Sequence, residues 1–341
     1  MVKRTMVKPS VVTRQSLWFT APYQVEAREE SLPPLQADEM LLETAVSAIS
    51  PGTEMLLYRG QMPSDIALDD TIEALEGGIA FPLKYGYATV GQVVETGRDV
   101  DVDWNGRYVF AFNPHESHFI TKPDTILPLP EGMAPETAVF LPNMETAVSF
   151  MMDGNPVIGE RVVVFGQGVV GLLTTMLLAQ FPLAELVTVD GYALRREWSE
   201  KLGATAVFDP ADDIQIKDVD LTYELSGNPA ALNQAIAVTG FDGRVVIGSW
   251  YGQKRAEINL GGAFHRSHIR LVSSQVSHLN PRWRGRWTKS RRLDLAWQLL
   301  AQHNPARLIS HQFSLADAKA AYELLDDRAE TAVQPILVYE K

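Results

Sequence analysis

An α/β fold, in which a doubly wound parallel sheet is joined to a β-rich domain, is predicted by three features of this 341-residue chain. The stretch RVVVFGQGVVGLLTTMLLAQ (161–180) passes from a β-branched apolar run at 162–165, through glycines at 166, 168 and 171, into an apolar helical pattern of Leu172, Leu173, Met176 and Leu177. Strand-like segments then recur at 186–190, 206–208, 221–226, 244–249 and 269–274, with a helix carrying Ala193, Trp198 and Leu202 running to Gly203. Such alternation of strand and helix is the pattern of a parallel sheet covered on both faces. Residues 1–146 have a different texture: β-type segments at 16–20, 40–47, 89–95 and 107–111 are broken by Pro, Gly and Asp clusters, with little helical period.

The glycine stretch has the chemistry of an anion cradle. Gly166 lets the chain turn, Gly168 lets a pyrophosphate approach the backbone, and Gly171 lets the helix pack on its strand. Residues Gln167, Val169 and Val170 complete the loop, and the helix start presents free N–H groups to a phosphate. The second strand ends on Asp190, nineteen residues past the third glycine, where a carboxylate accepts the ribose hydroxyls of an adenine dinucleotide. A carboxylate there repels a 2′-phosphate and favours NAD over NADP. Arg195 and Arg196 either pull the other way, by pairing with that phosphate, or are exposed helix charges. Ligands sit beyond the carboxyl ends of parallel strands, which nominates Ser226, Gly227, Gly248, Ser249, Trp250, Ser273 and Ser274 as further cofactor contacts.

Composition narrows the classes. A net charge of −12 and a pI near 5.1 argue against a general nucleic-acid or membrane-surface role. Without cysteine there is no disulfide framework, no thiolate zinc site and no cysteine nucleophile, and the cytoplasm is the simplest compartment. The opening MVKRTMVKPS is basic but no apolar core follows it, and no run approaches transmembrane length. The expected organisation is a first domain over 1–146, a nucleotide-binding domain over 147–280 and a return to the first domain over 281–341. A helix at 134–152 bridges the first two. The connection 61–82 has an acidic middle at 65–76 whose Ile66, Leu68, Ile72 and Leu75 suit a short helix, either a lid or a packed surface helix. Ser314 with Asp317 starts a late helix, and 335–339 is a closing strand.

One segment runs against the acidic background. PRWRGRWTKSRR (281–292) has six Arg or Lys and no acid, and basic residues leading into a helix oppose its dipole. It is read as a site for an anionic substrate group, with Arg282 and Arg286 as cations and Trp283 or Trp287 as an apolar wall. The alternatives are a solvated basic face or a subunit contact.

Three stretches carry a family likeness: SAISPGTEMLLYRG (47–60), YGYATVGQVVETG (85–97), and the glycine loop with its continuation VTVDGYALRREWSEKLGA (187–204). With these the chain resembles the medium-chain dehydrogenase/reductase superfamily over nearly its whole length, and the first two look most like its bacteriochlorophyllide dehydrogenase-like branch. The resemblance implies a Rossmann-type sheet inserted into a chaperonin-10-like (GroES-like) catalytic domain, and a homodimer joined by edge strands of the nucleotide domain. Zinc members hold their metal through a cysteine, a histidine and a third cysteine or glutamate. Here the corresponding places read Ser50-Pro51-Gly52-Thr53-Glu54, Gly86-Tyr87-Ala88 and Leu141-Pro142-Asn143, and the four-cysteine structural lobe is missing. Ser50-Pro51 is similar to the Asn-Pro of zinc-independent quinone reductases. No metal is therefore expected. His115 with His118, and His265 with His268, have a spacing that metal sites use, but no ligand of the family pattern accompanies them.

The resemblance places Ser50, Thr53, Tyr87 and the pair Glu145-Thr146 around the nicotinamide end of a cleft. It implies Tyr87 as proton donor or oxygen-binding group, Thr53 as the hydroxyl against the alcohol oxygen, Thr146 against the nicotinamide, and Glu145 as a relay if burial raises its pKa. Each also has a structural alternative: a core aromatic for Tyr87, a domain-bridging ion pair for Glu145, a turn for Ser50-Pro51. The expected activity is an NAD(H)-dependent, zinc-independent interconversion of an alcohol and a carbonyl on a small molecule, an anionic one if the basic segment is its site. Enoyl or quinone reduction, and nucleotide binding without turnover, are the alternatives.

Overall fold

The computed structural model describes residues 13–63, 78–212 and 214–339. The segment 65–76, for which a short helix was expected, and the basic opening of the chain lie outside the described residues. In chain order the first part contains β1 (Thr13–Ala21), β2 (Gln24–Ser31), β3 (Met40–Ala48), helix α1 (Thr53–Tyr58), β4 (Leu83–Lys84), β5 (Thr89–Thr96), β6 (Tyr108–Ala111), β7 (His118–Thr121) and β8 (Ile126–Pro128). Helices α2 (Pro135–Ala138) and α3 (Leu141–Gly154) lead to β9 (Arg161–Phe165), α4 (Val169–Leu178), β10 (Glu185–Val189), α5 (Ala193–Lys201) and β11 (Ala206–Phe208). Then come β12 (Val219–Glu224), α6 (Ala231–Val238), β13 (Thr239–Ile247), β14 (Arg270–Ser273), α7 (Lys289–His303), β15 (Ile309–Ser314), α8 (Ala318–Asp327) and β16 (Gln334–Val338).

The predicted parallel sheet is present. Its order is β11-β10-β9-β12-β13-β14, with every pairing parallel, so the chain starts in the middle and winds outward in both directions. Val162, Val163 and Val164 are at most 1% exposed, because a central parallel strand is buried on both faces. The β-rich part forms a sheet in the order β15-β16-β3-β5-β6-β8, with β7 also paired to β3, and a small sheet β2-β1-β4. β16 pairs antiparallel with β3, so the end of the chain is built into the first sheet. This is the insertion architecture that the resemblance implied. No helix among the described residues is long and apolar enough to cross a membrane.

The helix expected over 134–152 is two helices. Pro142 stands in the first turn of α3, where its missing N–H is harmless but its ring cannot follow a preceding helical turn, so the chain breaks between Ala138 and Leu141. Ser314 caps the 3₁₀ turn that precedes α8, accepting from the N–H of Asp317 at 3.1 Å, while α8 itself, with Asp317 at its N-cap, has no side-chain cap.

α3 bridges the two parts through a buried ion pair. Arg292 in α7 donates to Glu145 Oε1 from Nη2 at 2.8 Å and from Nε at 3.1 Å, to Ser149 Oγ at 2.8 Å, and to the carbonyl of Val276. Glu145 and Arg292 are 3% and 1% exposed. Burial pushes the Glu145 carboxyl above the usual carboxylate range, and the charges of Arg292 and Lys289 pull it back. Removing one partner of such a pair costs about 3–5 kcal/mol because the other is left buried and unmatched. Arg292→Met is therefore expected to lower the urea midpoint strongly, and the double variant with Glu145→Leu to recover part of the loss. The deficit of Arg292→Met should grow as pH rises through the raised Glu145 pKa, since burial penalises the ionised acid only. A deficit independent of pH would contradict this account.

Candidate active site

A cleft of about 1090 Å³ opens between the parallel sheet and the β-rich part. One wall is the glycine loop after β9. Gly166 has φ +89°, and a Cβ there would lie 2.5 Å from the backbone of Leu225 and Ser226. A Cβ on Gly171 would lie 2.0 Å from the carbonyl oxygen of Gly166. Both glycines are demanded by the protein itself. Gly168 is different: a Cβ there meets nothing within 4 Å, and the residue faces the cleft. Its missing side chain keeps room for a bound molecule. α4 begins here with no side-chain cap and no acid in its first turn, so the N–H groups of Val169, Val170 and Gly171 form an uncapped helix start on the cleft wall.

Gln167 is turned the other way. It is fully buried, donates to the carbonyl of Gly166 and accepts from Thr175, while its N–H donates to Asp190 Oδ2 at 2.7 Å. Gln167 therefore braces the loop and does not line the cleft. Asp190 lines the cleft, and its second oxygen accepts from the N–H of Tyr192 at 2.8 Å. Arg195 also lines the cleft, but its guanidinium stacks 4.7 Å over Tyr192 and donates to the carbonyls of Ala329 and Ala332. Arg196 is held by Asp209 at 2.8 Å and by the carbonyl of Asp190.

The strand ends supply the floor. Ser226, Gly227, Gly248, Ser249, Trp250, Ser273 and Ser274 all line the cleft, as the strand-end rule predicts. Gly227 N–H donates to Ser249 Oγ at 2.9 Å, and Ser274 Oγ to Asp153 at 2.6 Å. Behind them Glu224 is fully buried and accepts from Ser226 and from the hydroxyl of Tyr251. Burial and the Glu224 charge push the Tyr251 hydroxyl far up. Lys254 donates to the carbonyl of Gly227 at 2.9 Å, and its ammonium pKa is lowered by burial and then by the neighbouring Arg59.

The opposite wall comes from the β-rich part. Tyr87 Oη donates to Ser50 Oγ at 2.7 Å and lies 3.5 Å from Thr53 Oγ1, and Thr53 N–H donates to Ser50 Oγ at 3.3 Å. Three hydroxyls thus meet on the cleft surface beside Glu145 and Thr146. Thr146 Oγ1 donates to the carbonyl of Pro142 at 2.8 Å. Glu145 holds Arg292, which matches the domain-bridging alternative for that residue.

The basic segment is placed otherwise than expected. Arg282 donates to the carbonyls of Met152 and Asp153 at 2.6 and 2.7 Å, Trp283 Nε1 donates to Met152, and Arg286 stacks 5.1 Å from the Trp283 ring. These are the carbonyls at the end of α3, which attract cations. None of the three residues lines the cleft. Lys289 does, packed over Phe112 at 5.8 Å. Sequence reasoning missed Arg59, Tyr251 and Lys254. The last two lie just past Trp250 in the loop after β13, so extending the strand-end rule by one turn of loop finds them.

The first histidine pair is structural in its contacts, and His268 of the second lies 5.4 Å from the ring of Phe241. His115 is fully buried between Ser47 and Glu54, and His118 contacts Ser117 Oγ at 3.1 Å. Among the described residues no group of three or more His, Asp or Glu side chains is arranged to hold a metal.

Residues 169–291 match the family model described as zinc-binding dehydrogenase. The chain is 24% identical to D-guloside 3-dehydrogenase of Escherichia coli K12, over 94% of this chain and 98% of that protein. It is similar in structure to L-idonate 5-dehydrogenase of Escherichia coli K-12, with TM-score 0.78 and 18% identity over 96% and 98% of the two chains. It is similar also to a short chain alcohol dehydrogenase of Escherichia coli CFT073 complexed with NADH, with TM-score 0.76 and 16% identity over 96% and 99%. The matched segment spans the helix of the glycine loop and most of the parallel sheet, and the likeness in architecture extends through both parts of the chain. The chain is thus similar, in part of its sequence and in its fold, to zinc-binding dehydrogenases and to dehydrogenases of sugars and polyols.

Proposed function

We propose that this alcohol dehydrogenase-like oxidoreductase uses NAD(H), works without zinc, and interconverts a hydroxyl and a carbonyl on a small sugar- or polyol-like substrate. The observation that carries the reading is the cluster of Ser50, Thr53 and Tyr87 hydroxyls in the same cleft as the uncapped start of α4. The relatives named for D-guloside and L-idonate support the substrate class.

The residues fit a dinucleotide. The space at Gly168 and the free N–H groups of α4 suit the diphosphate, and Lys254 adds positive charge to the same cleft. Asp190, fixed by two backbone N–H groups, suits ribose hydroxyls and disfavours a 2′-phosphate. Arg195 and Arg196 are engaged by carbonyls, Tyr192 and Asp209, which weakens the case for NADP. When bound, the nicotinamide accepts or supplies the hydride.

The donor set does not fit zinc. The three places where zinc members carry ligands hold Ser50-Pro51, Tyr87 and Asn143, and Asn143 faces Gln334 at 3.4 Å. The nearby carboxylate of Glu54 is taken by Ser50 N–H, His115 and Tyr322. Zinc needs three or four well-placed nitrogen, sulfur or carboxylate ligands, and hydroxyl and amide groups do not supply them. Fixed uncharged donors take over: Tyr87, braced by Ser50 and Thr53, binds the substrate oxygen and gives it a proton in the reductive direction. Lys289, at the cleft edge, suits a negatively charged substituent. The hydroxyl cluster favours carbonyl chemistry over enoyl reduction, which needs no dedicated group at the oxygen.

Calorimetry should show NADH bound more tightly than NADPH, with Asp190→Ala narrowing the gap. Equal affinities in the unaltered protein would remove the NAD assignment. Lys254→Met should weaken NADH about tenfold and reduce the salt sensitivity of binding, an effect of about 1.4 kcal/mol. In a screen of sugar alcohols and aldonates with NAD, Tyr87→Phe should lower kcat about 100-fold or more while NADH affinity stays unchanged. Stoichiometric zinc in protein purified without added metal, with turnover lost on chelation, would overturn the zinc-free mechanism.

A further inference from the structure

A buried polar cluster that the proposed chemistry leaves unused lies directly behind the hydroxyl site. Glu54, in the first turn of α1, is fully buried. Its Oε1 accepts from the N–H of Ser50 at 2.8 Å, and its Oε2 takes His115 Nε2 at 3.0 Å together with the hydroxyl of Tyr322. His115 is also fully buried, with Nδ1 2.7 Å from Ser47 Oγ, which is itself 2.7 Å from Tyr339 Oη. With the imidazole proton on Nε2 every group has one role: Tyr339 donates to Ser47, Ser47 to Nδ1, and Nε2–H to the carboxylate.

The same imidazole presses on the other arm of the site. Gly86 has φ +130°, and a Cβ there would lie 2.9 Å from Cδ2 and from Nε2 of His115. Gly86 is the residue immediately before Tyr87. His115 therefore reaches Ser50 through Glu54, and reaches Tyr87 through the backbone it packs against. Each of the two hydroxyls that meet at 2.7 Å has its own link to the one ring.

We infer that His115 is a positioning residue: it sets the placement of Tyr87 against Ser50 and hence the geometry in which the substrate oxygen is held. The inference rests on the hydroxyl cluster being the oxygen site. His115 does not itself line the cleft and takes no proton from the substrate. Its effect is geometric, and an error of about 1 Å in such a site costs about 100-fold in rate.

The test uses the full chain with His115→Leu, His115→Gln, Tyr87→Phe, the double variant of His115→Leu with Tyr87→Phe, and 3-fluorotyrosine placed at position 87. Three results are expected. NADH affinity is unchanged in every variant, because the glycine loop is on the other wall. His115→Leu lowers kcat about 100-fold and moves the pH profile, His115→Gln recovers part of the rate by keeping a donor for Glu54, and His115→Leu adds little to Tyr87→Phe. The fluorine resonance at position 87 and its pH titration move in both His115 variants. A lowered melting temperature with rate, pH profile and fluorine titration all unchanged would show a merely structural residue and overturn the inference, as would fully multiplicative rate losses in the double variant. If the unaltered protein turns over no alcohol, the proposed function fails, and the fluorine titration, which needs no substrate, decides the positioning role alone. Should His115→Leu fail to fold, His115→Gln carries the same comparison.

Discussion

The ion pair between Glu145 and Arg292 is the constraint on which the cleft depends. Two charges held out of water are stable only together and only in one geometry. The fork of Arg292 grips α3 at two residues and the loop after β14 at a third point. It thereby fixes the helix that carries Thr146 relative to the strand end that carries Ser274. A looser, apolar contact would hold the same elements together without specifying their register so narrowly.

The cleft carries cations that the acidic balance of the chain does not suggest. Overall charge is −12, yet the acids on or behind the cleft wall are each engaged: Asp190 by backbone N–H groups, Glu145 by Arg292, Glu224 by Ser226 and Tyr251. Arg195, Lys254 and Lys289 line the same space, as does Arg59, which is paired with Asp326 at 2.6 Å. Low-dielectric walls concentrate the field of such cations, so an acidic protein can draw in an anionic dinucleotide.

What the sequence made legible follows from how local each constraint is. The glycine loop could be read because its demands fall within six residues: a turn at Gly166, a close contact at Gly171 and an open space at Gly168. The existence of a parallel sheet followed from alternation alone, whereas its strand order became visible only in the structure. The basic segment 281–292 showed its charge but not its direction, because the acceptors of Arg282 are carbonyls about 130 residues earlier in the chain. Tyr87 and Ser50 are 37 residues apart, and His115 and Glu54 are 61 apart. Nothing in residue type or spacing joins such pairs. For the first of them a family likeness supplied the neighbourhood, and for the second nothing did.

The position of β16 sets an order of assembly. The parallel sheet is continuous in sequence from β9 to β14, so all its pairings are available once residue 273 has been synthesised. The first sheet lacks an inner strand until residues 334–338 arrive to lie between β15 and β3. Tyr322 and Tyr339, which close the network around Glu54 and His115, come with that same late segment. A nascent chain on the ribosome thus acquires its glycine loop early and its hydroxyl site last, so a polypeptide halted before the final strand is left with a nucleotide cradle and no completed wall opposite it.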